Sequence, residues 1–110
     1  MYKKHMNDKK FVEEFYKLKQ SLLKDYFSNE QATAVAKLIQ TLDLNRKQTD
    51  TMRKIIDISL TDTLYTVLIG LEGSATIGEE QEAYKLFNEE GVEITGKKIE
   101  EYAWELFQNQ

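Results

Sequence analysis

Apolar residues recur at helical spacing through three long stretches of the chain. From about Asp8 to Phe27, Phe11, Phe15, Leu18, Leu22 and Tyr26 fall at four- and three-residue steps, which places them on one stripe of a helix. Val12, Tyr16, Leu23 and Phe27 widen the stripe, and Glu13, Glu14, Lys17 and Lys24 take the other side. Asn7 or Asp8 can accept a hydrogen bond from the free amides at its start. Ser28-Asn29-Glu30-Gln31 then has the form of a capping box, opening a helix to about Leu42 that packs Val35, Leu38, Ile39 and Leu42. Its alanines, Ala32, Ala34 and Ala36, allow close approach of a neighbouring helix. Asp43-Leu44-Asn45 is a break, with Asn45 as the next cap.

From Arg46 to about Glu72 the helical period returns through Met52, Ile55, Ile56, Leu60, Leu64, Val67, Leu68 and Leu71. Ser59, Thr61, Asp62 and Thr63 interrupt it, and such side chains compete for backbone hydrogen bonds. The pattern predicts either two consecutive helices, about 46–59 and 62–72, or one bent helix. The second piece is apolar on most sides and is expected to be the central buried element. Gly73 is a natural stop in the left-handed conformation. Beyond it the period changes. The short apolar run 82–87, the turn Asn88-Glu89-Glu90-Gly91 and the alternation Val92-Glu93-Ile94 predict a β-hairpin, which must lie against the helices to be stable. Thr95-Gly96 opens a last helix with Ile99, Tyr102, Ala103, Leu106 and Phe107 as its stripe and Trp104 beside it. The expected fold is therefore mainly α, and α+β only in a weak sense. It is a bundle of four to five helices with one small β-hairpin near residues 82–95 before the last helix. Residues 1–110 form one domain, with 1–7 as a flexible tail.

Composition narrows the chemistry. With 110 residues and 41% hydrophobic content the chain can build a core unaided. It has no cysteine, which excludes disulfides, thiolate metal sites and a cysteine nucleophile. The first ten residues are basic but no apolar run of signal-peptide length follows, and the most apolar window, Leu64 to Leu71, is under half a membrane span. A cytoplasmic protein without a membrane segment is expected. The net charge of −4 hides an asymmetry: residues 1–60 hold 12 basic and 8 acidic side chains, residues 61–110 hold 3 and 11. Two charged halves either neutralise each other across the fold or present faces of opposite sign. The acidic total argues against nucleic acid as the main ligand.

No motif dictates a reaction. His5 is the only histidine and lies in the expected tail, whereas a catalytic imidazole is held by a second group, so it is read as a tail residue and not as a ligand or base. Gly73-Ser74-Ala75-Thr76-Ile77-Gly78 has glycines at the separation of a phosphate-binding loop, but Glu79-Glu80 stands where Lys-Ser/Thr should follow. The spacing of Glu72, Glu79, Glu80, Glu82, Glu89 and Glu90 does not match a calcium loop, and a solvated acidic surface is the default for such a run. No catalytic residue, metal ligand or cofactor is assigned. Asp57 and Asp62 sit in or beside an apolar helix, so each must reach solvent, a partner or a free helix amide. For Asp62, capping beside Thr61 is the economical role.

Residues Asp62 to Phe107 resemble a recurring C-terminal pattern of small uncharacterised bacterial proteins: a helix ending L-x-G-L-D/E-G, a G-x-x-Q loop, a Y-K-L-F/Y segment and an acidic helix. The matching residues are Leu68 to Gly73, Gly78 with Gln81, Tyr84-Lys85-Leu86-Phe87, and Ile99 to Phe107. The motif is one of packing and turns and implies no catalytic residues. Small acidic proteins of this kind are similar in style to immunity proteins that neutralise a toxin. The leading expectation is a non-catalytic protein that binds another protein, such as a basic toxin, through Glu72, Glu79, Glu80, Glu82, Glu89, Glu90 and Trp104. The alternatives are a homo-oligomerising module paired as a homodimer, and a small carboxylate or metal-dependent enzyme joining Asp62, Glu72 and Glu82.

Overall fold

The computed structural model describes residues 5–96 and 98–109. Helix α1 spans Asp8–Tyr26, and Asn7 caps it by accepting from the Lys10 N–H at 2.9 Å. Helix α2 spans Ala34–Thr41, α3 spans Arg46–Leu71, and a short α4 covers Ile99–Ala103, followed by a π-helical turn over Trp104–Gln108. The fold is mainly helical, as the periodicity indicates.

Four sequence expectations change in detail, each for a visible reason. Ser28 to Gln31 does not open α2. The Ser28 hydroxyl instead accepts from the Glu30 N–H two residues on, Gln31 takes a left-handed φ of 52°, and Thr33 is the true cap, accepting from the Ala36 N–H at 3.0 Å. Of the two alternatives for 46–72, the structure takes the single helix: α3 runs unbroken through the polar cluster at 59–63. Ser59 and Thr63 donate their hydroxyls to the carbonyls of Ile55 and Ser59, both at 2.8 Å, so they bond back into the helix instead of starting a second one. Asp62 is accordingly an exposed mid-helix residue and caps nothing.

The hairpin over 82–95 is not formed. Among the described residues this region carries only single bridges, Glu72 with Ala83 and Phe87 with Glu93. The chain does turn at Gly91, whose φ is +79°. However, the Leu86 N–H is taken by the Thr95 hydroxyl, and the Val92 N–H by the Asn88 side chain, both at 3.0 Å. Side chains thus occupy bonds that a ladder would need. Finally, Thr95 does not cap the last helix, because its hydroxyl is committed to Leu86. A carboxylate distant in sequence does so: Glu72 accepts from the Gly96 N–H at 2.7 Å and the Glu100 N–H at 3.0 Å.

Two expected signals hold. Asn45 and Gln48 form a reciprocal capping box at the start of α3. At its end Gly73 has φ +84°, and the N–H groups of Gly73 and Ser74 donate to the carbonyls of Gly70 and Ile69, both at 3.1 Å. This is the paired-bond pattern of a Schellman motif.

The core gathers Val12 of α1, Leu68 of α3, Ile94, Ile99, Ala103 and Phe107, all buried. Tyr16 meets Phe107 edge to face, with ring centroids 5.6 Å apart. The residues of α3 that join this core lie from Leu64 onward. Helix α2 packs on α1 and not on α3, leaving Leu38 and Leu42 exposed. The first half of α3 likewise exposes Ile55 and Ile58. The radius of gyration is 16.7 Å, with extents of 48 × 41 × 25 Å. A close-packed chain of this length has a radius of about 13 Å, so this structure is more extended than a close-packed one.

Candidate functional site

The strongest convergence of chemistry lies where the C-terminal turn crosses the second half of α3. Tyr65, Glu100, Glu101, Trp104 and Glu105 line a cleft of about 350 Å³. Trp104 falls outside the stripe that buries Ile99, Ala103 and Phe107, so its indole is 52% exposed. Glu100, Glu101 and Glu105 flank it on neighbouring turns of the same segment. Tyr65 enters from α3.

Hydrogen bonds fix this arrangement from behind. The Ser74 hydroxyl donates to Glu100 at 2.7 Å, while Glu72 holds the Glu100 N–H. The Gln81 side-chain amide donates to the Gly73 carbonyl, tying the 73–82 connection to the end of α3. Burial pushes the Tyr65 phenol above its usual 10.0, and the nearby Glu100 charge pushes it the same way. Tyr65 is therefore a neutral hydroxyl near pH 7. An aromatic face ringed by carboxylates suits a guanidinium or ammonium, which gains cation–π attraction and charge-assisted hydrogen bonds together.

The residues singled out in the sequence separate in space. Trp104 lies in this cleft. Glu72 is half-buried and spends both oxygens on backbone amides, so its role is to hold the C-terminal segment. Glu79, Glu80 and Glu82 are exposed on the connection after Gly73, outside the Trp104 cleft. Glu89 and Glu90 are exposed at the turn before Gly91, where Glu90 stands 3.4 Å from His5 Nδ1. Tyr65, Glu100, Glu101 and Glu105 are the additions. The sequence signal for them was Trp104 lying off the apolar stripe with acids three and four residues before it.

A second cleft, about 460 Å³, is mostly apolar. Met6, Phe11, Leu86, Phe87 and Ile94 line it, with His5 and Glu90 at its rim. Met6 is held there through its carbonyl, which accepts from the Asn88 side chain at 2.9 Å. Residues 1–4 of the expected tail lie outside the described residues. The His5–Glu90 pair is half-exposed on both sides and no serine or threonine lines the cleft, so the parts of a nucleophilic triad are not assembled there. Asp62, Glu72 and Glu82 do not converge either: Glu72 lines a shallow groove with Ala83, Tyr84 and Lys85 that neither of the others enters. Among the described residues no group of three or more acidic or histidine side chains is placed to hold a metal ion.

Asp57 has a partner the sequence did not disclose. Lys19 is buried at 6% exposure, with its Nζ 2.9 Å from Asp57 and 3.2 Å from the Thr61 hydroxyl. The ammonium also sits over the rings of Tyr16 and Phe107. This pair joins α1 to α3 beside the core residue Phe107. Among the described residues no helix is long and apolar enough to cross a membrane. The chain matches no protein-family model, no curated protein and no solved structure.

Proposed function

We propose that this chain is a non-catalytic protein-binding module, acting in the cytoplasm, whose Tyr65–Trp104 cleft receives a basic segment of another protein. The observation that carries the reading is a half-exposed tryptophan ringed by Glu100, Glu101 and Glu105 on a segment held rigid by Glu72 and Ser74. Tryptophan in a pre-formed pocket is the side chain most often found to dominate an interface, and surrounding carboxylates steer a basic partner toward it. The most concrete form is an immunity-type inhibitor that covers the basic, substrate-facing surface of a toxin. The 11 acidic against 3 basic residues in 61–110 support it.

Trp104 is the single tryptophan, so its fluorescence reports the site directly. Titration with an arginine-rich peptide should change the emission saturably, and less so at high salt. The double variant Glu101→Gln/Glu105→Gln should weaken binding at least about tenfold, and Trp104→Ala, followed by calorimetry, by about thirtyfold. Unchanged affinity in both variants would place binding elsewhere and end this reading.

A further inference from the structure

We propose that the Tyr65–Trp104 cleft is an arginine slot. The side chain a partner inserts there is an arginine, with its guanidinium flat on the indole and its edges held by Glu101 and Glu105, and lysine does not substitute for it. This deepens the basic-partner reading and rests on it. The cleft, about 350 Å³, is at the small end of ligand pockets, which run from about 300 to 1,000 Å³. It therefore takes one side chain of a partner and not a whole peptide.

Helical spacing sets out the walls. Trp104 follows the buried Ala103 by about 100°, so its ring turns away from the core and is half exposed. Glu100 falls about 40° to one side of it and Glu101 about 60° to the other, with Glu105 one turn beyond Glu101. Trp104 also opens the π-helical turn, where its carbonyl accepts from the Asn109 N–H at 2.9 Å. Single wide turns of this kind recur at functional sites. Tyr65 closes the cleft from α3.

The three carboxylates are not equivalent. Glu100 accepts from the Ser74 hydroxyl at 2.7 Å and belongs to the frame. Glu101 and Glu105 are exposed, and among the described residues neither has a cationic partner. They are like charges four residues apart, about 6 Å between Cβ atoms, an arrangement that is unfavourable on a helix and that a cation between them relieves.

Shape then separates the two basic side chains. Among the described residues no three acidic groups are placed to share a metal ion, so the carboxylates here do not focus on one point. A guanidinium is planar and spreads five N–H donors over its edges, so it can lie on the indole and bond two separated carboxylates at once. A lysine ammonium is compact and more strongly hydrated. It meets one glutamate at the expense of the other, and sheds more water to lie on the ring.

Three peptides of equal length and charge, none with an aromatic residue, test this by titration against Trp104 emission. One is arginine-rich, one has lysine at each arginine, and one has every guanidinium dimethylated, which keeps the charge and blocks bidentate bonding. The arginine peptide should bind at least about tenfold more tightly than either of the others. Glu101→Gln/Glu105→Gln should bring that ratio toward one. Glu79→Gln/Glu80→Gln, the same loss of charge outside the cleft, should weaken both peptides alike and keep the ratio. All four glutamates are exposed, and circular dichroism checks that helix content is kept. Equal binding of the lysine and arginine peptides, with both weakened by Glu101→Gln/Glu105→Gln, would overturn the arginine slot and leave the basic-partner reading standing. A ratio that survives Glu101→Gln/Glu105→Gln, or a dimethylated peptide that binds as well as the unmodified one, would overturn the slot in the same way. No response of Trp104 to any of the peptides would end both.

Discussion

Removing Asp57 and removing Lys19 should have very different consequences, although both break the same ion pair. Lys19 is almost fully buried, its ammonium 2.9 Å from Asp57, 3.2 Å from the Thr61 hydroxyl and over the rings of Tyr16 and Phe107. The Asp57 side chain is 45% exposed. Asp57→Ala therefore strands a cation among aromatic rings, with one hydroxyl left to solvate it. Breaking a fully buried pair costs about 3–5 kcal/mol, and an exposed pair is worth about 1 kcal/mol or less. With one end buried and one half in water, about 2 kcal/mol is expected. That lowers Tm by about 8 °C in a domain of this size. Lys19→Met keeps the apolar stem and leaves Asp57 facing water, so stability should stay within about 1 kcal/mol. The double variant should resemble Lys19→Met alone, giving a coupling of about 2 kcal/mol in a cycle measured by urea unfolding. If Lys19→Met proved as harmful as Asp57→Ala, or Asp57→Ala were silent, the pair would not be acting as described.

Three further outcomes follow from the geometry. Gly73→Ala places a Cβ at φ +84° and 3.2 Å from the Ala83 Cβ, and should cost about 1–2 kcal/mol in chemical denaturation. Glu72→Ala removes the acceptor for the Gly96 and Glu100 amides and should cost about 2 kcal/mol, with Glu72→Gln costing about half of that and a shift in Trp104 emission accompanying both. Tyr65 holds its proton above 10.0 in the folded chain, so its contribution is intact below pH 10 and is lost as pH rises through the folded value. Melts in alkaline buffers should therefore show a steeper loss for the native chain than for Tyr65→Phe.

Much of the helical frame was legible because it is written in local terms. Phe11, Val12, Phe15 and Tyr16 mark α1, Asn45 and Gln48 sit three apart at the start of α3, and Gly73 ends it. What escaped depends on residues that meet only after folding. Glu72 reaches forward 24 and 28 residues to cap the C-terminal segment, a partnership no window on the sequence contains. Lys19 and Asp57 belong to different helices, and Lys19 is recognisable only as a cation seven residues after Val12, on the core side of the stripe. The hairpin pattern of 82–95 was real in its turn, yet Asn88 and Thr95 claim the amides a ladder requires. At the candidate site, Trp104 could be picked out as lying off the apolar stripe. The acids chosen with it followed charge density along the chain, whereas the cleft draws on Glu100, Glu101 and Glu105 and on Tyr65 from α3.

The most direct measurement is a map of amide and indole chemical-shift changes while an arginine-rich peptide is titrated into the isotopically labelled protein. The account expects the largest changes at the Trp104 indole, Tyr65, Glu101 and Glu105, fading together as salt is raised. Changes centred instead on Glu79, Glu80 and Glu82, or on the cleft between Met6 and Phe87, would contradict it.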